Sequence, residues 1–371
     1  AWKSRGGRVV AITGSAGKTT TKEMCASLLA RVGAVHATAG NLNNRIGVPA
    51  VVLGLEKRHA FAVIEMGMSE PGEIARLVEI APPDAAVVTN VGLAHAGGVG
   101  GDEDDVAREK GAIFTAIHEG GTAVVNADDA RVALQGRRAS GHVVTFGRAP
   151  SADYRLANRE SLGARGSRVT IARGGESIAV DLPVVGEAAA MDFAAALAAA
   201  EAVAQKRFDR NDIAAAAASL QLPPGRASVR SLADGTLVID DSYNANPDSM
   251  RSAIRALAEI AAREGRRAVA VIGEMRELGP RAEAEHAALG DDLVAAKVSL
   301  VIGCGGLADL AIDRAAAAGV QVFRAKNARN AAKIAVSEIG PKDVVLVKAS
   351  RGVAAEVVVD ALIEARGGAR S

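Results

Sequence analysis

Cysteine is almost absent from the 371 residues: Cys25 and Cys304 are the only two, too few and too far apart for a disulfide framework or a thiolate metal cluster. A reducing compartment is therefore expected. Charge of one sign is not in excess either. There are 44 basic and 43 acidic residues, a net charge of +1, so no broad field exists to hold nucleic acid or an anionic membrane, and any phosphate site must be local. No apolar run approaches the length that spans a bilayer, and the opening AWKSRGG leads straight into a strand rather than a signal peptide. A cytoplasmic protein is expected. The chain also opens without Met, in what reads as the tail of a linker, which suggests that something upstream has been removed. No repeat of fixed short period is present, and no segment is low-complexity beyond a general richness in Ala.

What is present is material for packed interiors, 49% apolar against 23% charged, in a chain long enough for two domains. Short β-branched runs alternate with Ala-rich amphipathic stretches, the pattern of parallel strands joined by crossover helices. RVVAIT (8–13), FAVIEM (61–66), AAVVTN (85–90) and TAVVN (122–126) read as buried strands of one sheet. From about His142 to Leu182 the short strands and Gly-rich turns predict an antiparallel appendage. A long helix is expected from about Glu187 to Lys206, since Ala costs little to hold helical. Leu222, Pro223, Pro224 and Gly225 then break the chain. Beyond them the alternation restarts with TLVIDD, RAVAVIG, SLVIG, VQVFRA and DVVLVK, helical runs following the first three closely. The fold class is α/β. A phosphate-loop domain over 1–222, its sheet mostly parallel with a small antiparallel appendage, is followed by a smaller Rossmann-like α/β domain over 223–371.

Directly after the first strand stands Thr13-Gly14-Ser15-Ala16-Gly17-Lys18-Thr19-Thr20-Thr21, followed by a helical run. A Gly-rich turn between strand and helix aims backbone N–H groups and the positive helix end at an anion, and Lys18 adds a full charge. Thr19 is placed to offer its hydroxyl to magnesium. The longer form G-x-x-x-x-G-K-[ST] needs Gly at position 12, where this chain has Ile12, so the loop is the shorter G-x-x-G-K-T. Gly14, Ser15, Ala16, Gly17, Lys18, Thr19 and Thr20 are the candidate nucleotide-binding residues. The loop alone serves motors, switches and ligases alike.

The further motifs GSAGKTTTKE (14–23), NLNNRIGVP (41–49), IEMGMSEPGEI (64–74), TNVGLAHAGGVG (89–100), REKGAIF (108–114), PPGR (223–226), DDSYNANPDSM (240–250), GEMRELG (273–279) and LVKASRG (346–352) run in order across nearly the whole chain. In these the sequence resembles the Mur ligases, and within them the branch that adds D-alanyl-D-alanine to UDP-N-acetylmuramoyl-tripeptide in peptidoglycan precursor synthesis. The resemblance implies an ATP-dependent ligase that joins a carboxylate to an amine through an acyl phosphate and uses ATP and two magnesium ions; a monomer is expected. Such catalysis is mainly positioning plus neutralisation of phosphate charge.

Residue by residue, Glu65 ends a buried strand at the sheet edge where ligands bind. By position it reads equally as a solvated strand-end acid; the resemblance makes it a magnesium ligand. His95 would hold the second ion by resemblance, although a lone His is commonly structural. On composition Lys110 is a helix-surface lysine. The resemblance implies instead a carbamylated lysine that binds magnesium, the modification replacing a repelled ammonium by an anion. Arg226 would reach the γ-phosphate. Asp241 and Asn244 would meet ribose and adenine, although their segment also supplies a helix N-cap. Asn43 and Asn44 would lie near the phosphates or the acceptor. Lys348, Ser350 and Arg351 would hold the carboxylate of the incoming dipeptide. The catalytic set implied is Lys18, His95, Lys110 and Arg226.

The chain departs from the family pattern in four places. The family's G-x-H-N-x-x-N adenine segment reads Gly186-Glu187-Ala188-Ala189-Ala190-Met191-Asp192, and Asp192, as a carboxylate, accepts but cannot donate. Glu274 and Ala349 stand where Asp and Gly are commoner. The front domain that grips UDP in family members is missing, so a fragment of a longer protein is expected, the alternative being a stand-alone module with a different acceptor. Two other readings compete: a folylpolyglutamate- or cyanophycin-type ligase, and a nucleotide-binding module that has lost ligation.

Overall fold

In the computed structural model, residues 2–93 and 96–367 are described. The chain clusters into two compact units, Ala1–Glu160 with Arg168–Pro183 and Ala188–Gln221, and Ser161–Ser167 with Val184–Glu187 and Leu222–Ser371. No helix among the described residues is long and apolar enough to cross a membrane.

The strands of the first unit's sheet are β1 (Arg8–Thr13), β2 (Val35–Ala37), β3 (Phe61–Glu65), β4 (Ala85–Val88), β5 (Thr122–Asn126), β6 (His142–Gly147), β7 (Tyr154–Ser161), β8 (Ser167–Arg173) and β9 (Glu176–Leu182). They lie in the order β2-β3-β1-β4-β5-β6-β7-β8-β9. Val10 to Ile12, Ala62 to Ile64 and Ala85 to Val87 are completely buried, as expected of parallel strands covered on both faces. β2 and β3 lie on one side of β1 and β4 and β5 on the other, the chain crossing over between β3 and β4, so β1 lies at the switch point where such sheets bind ligands. The parallel register pairs Ile12 with Glu65 and Thr13 with Val88. The strand ends thereby bring Thr13, Glu65 and Thr89 to one edge.

The appendage is smaller than the sequence suggests. β6 pairs parallel with β5 over five residues, and β7 meets β6 parallel through Phe146 and Gly147. A helix, Ala130–Gly136, carries the chain from β5 to β6, the crossover a parallel pair requires. The antiparallel part begins at β7, which only residues 162–166 join to its neighbour β8, too few for a parallel crossover, and continues in the hairpin of β8 and β9. Its turn, Gly174-Gly175, has positive φ at both residues, the geometry that matches strand twist in two-residue hairpins.

The long Ala-rich helix spans Glu187–Ala204 and is buried on nearly all sides. A helix buried all round is a core element. The phosphate-loop helix, Lys18–Leu29, starts at Gly17, whose φ of 83° is left-handed.

The second unit holds β10 (Ser228–Ser231), β11 (Leu237–Asp241), β12 (Ala268–Ile272), β13 (Leu300–Gly303), β14 (Gln321–Arg324) and β15 (Val344–Lys348). Their order is β10-β11-β15-β12-β13-β14, with β10 antiparallel to β11 and the rest parallel. Helices follow β14 and β15 as well as β11, β12 and β13: after β14 comes Ala328–Glu338, opened by the Asn327 side chain accepting from Asn330 N at 3.0 Å, and after β15 comes Glu356–Arg366. The helix Pro247–Glu264 starts with a capping box between Asn246 and Ser249 and a Pro in its first turn, satisfying donors the helix cannot. Its buried Met250, Ile254, Leu257 and Ile260 recur at helical spacing, each large side chain contributing about 1.5–3 kcal/mol by burial.

Candidate active site

The phosphate loop is braced from β4. Ser15 N donates to Asn90 O (3.0 Å), Ala16 N to Asn90 Oδ1 (2.9 Å), and Asn90 Nδ2 to Ala16 O (3.1 Å). The Thr89 hydroxyl donates to Ala16 O at 2.5 Å, and the Ser15 hydroxyl both donates to Gly92 O (3.0 Å) and accepts from Gly92 N (2.9 Å). The loop backbone is thus set before any anion arrives, which is what preorganised electrostatics require. Lys18 Nζ donates to Gly14 O at 2.8 Å. Thr89 and Asn90 carry this brace, and reading their segment for its histidine alone passes over them.

Glu65 is 1% exposed, so it is no solvated strand-end acid. Its Oε2 accepts from the Thr19 hydroxyl (2.9 Å), its Oε1 from Asn43 Nδ2 (2.8 Å), and its backbone N donates to Thr38 Oγ1 (3.0 Å). Lys22, buried as well, donates to Thr38 O at 2.6 Å and pairs with Glu23 at 2.7 Å. Asn44 does something different. Its Oδ1 accepts from Ile46 N and Gly47 N at 3.1 and 2.9 Å, opening the helix Gly47–Leu53. The two adjacent asparagines therefore part: Asn43 reaches the site and Asn44 shapes the turn.

Lys110 is not on the helix surface. It is 1% exposed on the helix Glu103–Thr115, which is opened by Asp102 and carries three acids in its first turn, a favourable placement against the helix dipole. Burial first, and Lys18 second, hold its amine well below the ordinary lysine pKa, Glu109 opposing them. The neighbouring Glu109 accepts from Gly72 N (2.8 Å) and Ile74 N (3.0 Å), tying this helix to the loop that leaves β3.

Asp192 is 7% exposed and lies against Gly17, where a Cβ would fall 2.2 Å from its Oδ1. Glycine is therefore needed at 17 for space as well as for conformation. Burial pushes the Asp192 carboxyl up to about 8, with the Thr21 side chain pulling it back. His95 lies outside the described residues. Gly14 and Thr20 complete the loop.

In the second unit, Arg226 stacks on the Tyr243 ring at 4.0 Å, with Arg351 at 5.4 Å from the same ring. Lys348, 2% exposed, pairs with Asp241 at 2.5 Å and donates to Asn244 O at 3.0 Å. Ser350 is buried too, donating to Ala245 O (3.3 Å) and accepting from Arg276 N (2.9 Å). Of the three residues expected to hold the dipeptide, only Arg351 is exposed; the other two lock the DDSYNANP segment to β15.

The donor set at the first unit's edge, a threonine hydroxyl and a buried carboxylate, is the hard oxygen chemistry that magnesium prefers. Thr19 and Glu65 fit that ion, while Asn43 holds Glu65 in place.

Comparison with known proteins adds to this geometry. Residues 12–200 match the family model of the Mur ligase middle domain, and residues 225–351 that of the Mur ligase glutamate ligase domain. The chain is 39% identical over 360 residues to the UDP-N-acetylmuramoyl-tripeptide--D-alanyl-D-alanine ligase of Escherichia coli, covering 96% of this chain and 77% of that protein. It superposes on MurF from Acinetobacter baumannii with a TM-score of 0.86 at 32% identity, covering 96% and 76% of the two chains. Against Thermotoga maritima MurF ligase in complex with ADP the TM-score is 0.83 at 30% identity, with 97% and 80% covered.

Proposed function

The chain belongs to the Mur ligase family of ATP-dependent amide ligases, and from that premise we propose that it adds D-alanyl-D-alanine to UDP-N-acetylmuramoyl-tripeptide in peptidoglycan precursor synthesis. The observation that carries the reading is the first unit's edge, where the braced loop, Thr19, Glu65 and a buried Lys110 occur together. The relatives of that activity, at 39% and 35% identity in Escherichia coli and Bacillus subtilis, support the choice of substrates. Residues 1–222 and 223–371 are proposed as the nucleotide-binding and C-terminal domains.

In this mechanism the loop N–H groups and Lys18 hold the terminal phosphates of ATP. The acceptor carboxylate attacks the γ-phosphorus, its P–O bond forms as the bond to ADP breaks, and an acyl phosphate results. The amine of the dipeptide then attacks the acyl carbon, phosphate leaves with the bonding pair, and the amine gives up a proton. Arg226, with its rigid fork, neutralises charge on the transferred group. Magnesium held by Thr19 and Glu65, with His95 and a carbamylated Lys110 as further proposed ligands, would supply the remaining positive charge. The carbamate needs a neutral amine to attack carbon dioxide with loss of one proton, and burial favours that form of Lys110. Asp192, Asp241 and Asn244 are proposed to contact the nucleoside.

ADP release measured with UDP-N-acetylmuramoyl-tripeptide and D-alanyl-D-alanine, each omitted in turn, tests the reading. Release that requires both is expected. Release with glutamate as the amine and none with the dipeptide would transfer the chain to another branch of the family.

A further inference from the structure

Lys22 takes no part in the chemistry proposed for the loop, yet it lies 2% exposed on the phosphate-loop helix, three residues beyond Thr19. Residues at that spacing share a face of the helix, so the two side chains leave it on the same side. Thr19 reaches Glu65 Oε2 at 2.9 Å, at the end of β3. Lys22 Nζ reaches Thr38 O at 2.6 Å, just past the end of β2, with Glu23 as its ion-pair partner at 2.7 Å.

Thr38, 1% exposed, joins these two contacts. Its N donates to Val63 O at 3.0 Å, and its hydroxyl accepts from Glu65 N at 3.0 Å. From Thr38 the chain enters the loop that brings Asn43 Nδ2 to Glu65 Oε1 at 2.8 Å, and Asn43 O in turn accepts from Gly67 N at 2.7 Å. Both the backbone of Glu65 and its second carboxylate oxygen thus depend on where Thr38 stands.

The strand before Thr38 is a weak support. β2 has three residues and lies at the edge of the sheet, with β3 its neighbour, and an edge strand has ladder bonds on one side alone. A buried carbonyl at such an end needs a donor. Lysine makes that bond charge-assisted, roughly twice as strong as a neutral one. It is also a costly residue to bury for packing alone, where methionine would fill similar space without a charge to desolvate.

We propose that Lys22 is a positioning residue for the magnesium carboxylate: through Thr38 it sets the backbone of Glu65 and the root of the Asn43 loop, and so the direction in which Glu65 meets the ion. This role rests on the reading above that Thr19 and Glu65 bind magnesium. Groups that orient a metal ligand from behind change metal affinity by about ten- to a hundredfold when removed.

Lys22→Met keeps the bulk of the side chain and removes the donor. The test is titration of the full chain with manganese in place of magnesium, in the presence of ADP, read by electron paramagnetic resonance. Lys22→Met should weaken manganese binding about tenfold or more, while ADP binding measured in EDTA, which depends on the loop N–H groups, stays as in the wild type. In turnover the magnesium concentration for half-maximal rate should rise by the same factor, with kcat at saturating magnesium close to that of the wild type. Thr38→Val removes the hydroxyl that Glu65 N meets and should weaken manganese in the same selective way. In the double variant the two losses should not add, since both act through one strut. If circular dichroism shows Lys22→Met unfolded, Thr38→Val decides, because Thr38 is the link through which Lys22 acts.

Glu65→Gln is the control. If it loses manganese while Lys22→Met and Thr38→Val keep it, Lys22 is a buried pairing residue only, and the magnesium reading stands without it. If Glu65→Gln binds manganese as the wild type does, the magnesium reading falls and the role of Lys22 with it. A general loss in Lys22→Met, ADP binding in EDTA included, also overturns the proposal, since a lysine that merely supports the fold gives that result.

Discussion

The Thr19 hydroxyl donates to Glu65 Oε2 at 2.9 Å across 46 residues of chain. One residue opens the phosphate-loop helix and the other ends β3, and the parallel register of β1 and β3 is what makes them neighbours. Asn43 holds the other oxygen of the same carboxylate.

Glu65→Gln keeps an acceptor for Thr19 but removes the charge. Substrate-dependent ADP release is expected to fall at least about a hundredfold, with thermal unfolding little changed. Glu65→Ala strands the donors of Thr19 and Asn43 and should also cost about 1–3 kcal/mol in urea unfolding. A fully active Glu65→Gln protein would remove this carboxylate from the chemistry.

Lys110 titrates below its ordinary range in the folded chain, so between that depressed value and the ordinary 10.5 the unfolded chain binds the additional proton. Its contribution to stability therefore rises with pH across that window. Lys110→Met should abolish this part of the slope in unfolding titrations, leave the fold intact and stop ligation. Lys110→Ala, which vacates space, should regain part of its activity when short carboxylic acids are added, and full activity without them would refute the carbamate.

Asp192 carries the opposite sign. Its carboxyl is raised from 3.8 to about 8, so between those values the folded chain holds a proton that the unfolded chain has released. Stability from this group is present in full below 3.8, declines as pH rises, and is lowest above about 8. Asp192→Asn should flatten that decline in unfolding midpoints measured from pH 5 to 9, and an unchanged profile would mean that the acid is ionised throughout.

Lys348→Met leaves Asp241 without its partner. Removing one member of a buried pair typically costs about 3–5 kcal/mol, and Asp241→Asn in the same chain should return part of that loss. A Lys348→Met protein of unaltered stability whose only defect is a raised KM for the dipeptide would restore Lys348 to the ligand.

Strand runs, the phosphate loop and the order of motifs are local or linear properties, and the sequence alone determined them. Between Arg8 and Thr13 the strand reads VVAI, apolar throughout because both faces of β1 are covered, and Gly14 to Thr19 names its chemistry by type and spacing. The small hairpin was harder to delimit, because whether β6 joins its neighbour parallel or antiparallel depends on the helix that carries the chain across, not on its own residues. Asn43 and Asn44 look alike on paper. Only the fold decided that one turns toward Glu65 and the other shapes the turn before a helix, since a side chain's direction follows from the backbone it stands on. Lys110 and Lys348 carry the same lesson. A lysine is a surface residue by default, and nothing in the local sequence reveals burial. It takes the packing of distant elements to remove water from around the amine, and with it to decide whether the group is charged, paired or reactive.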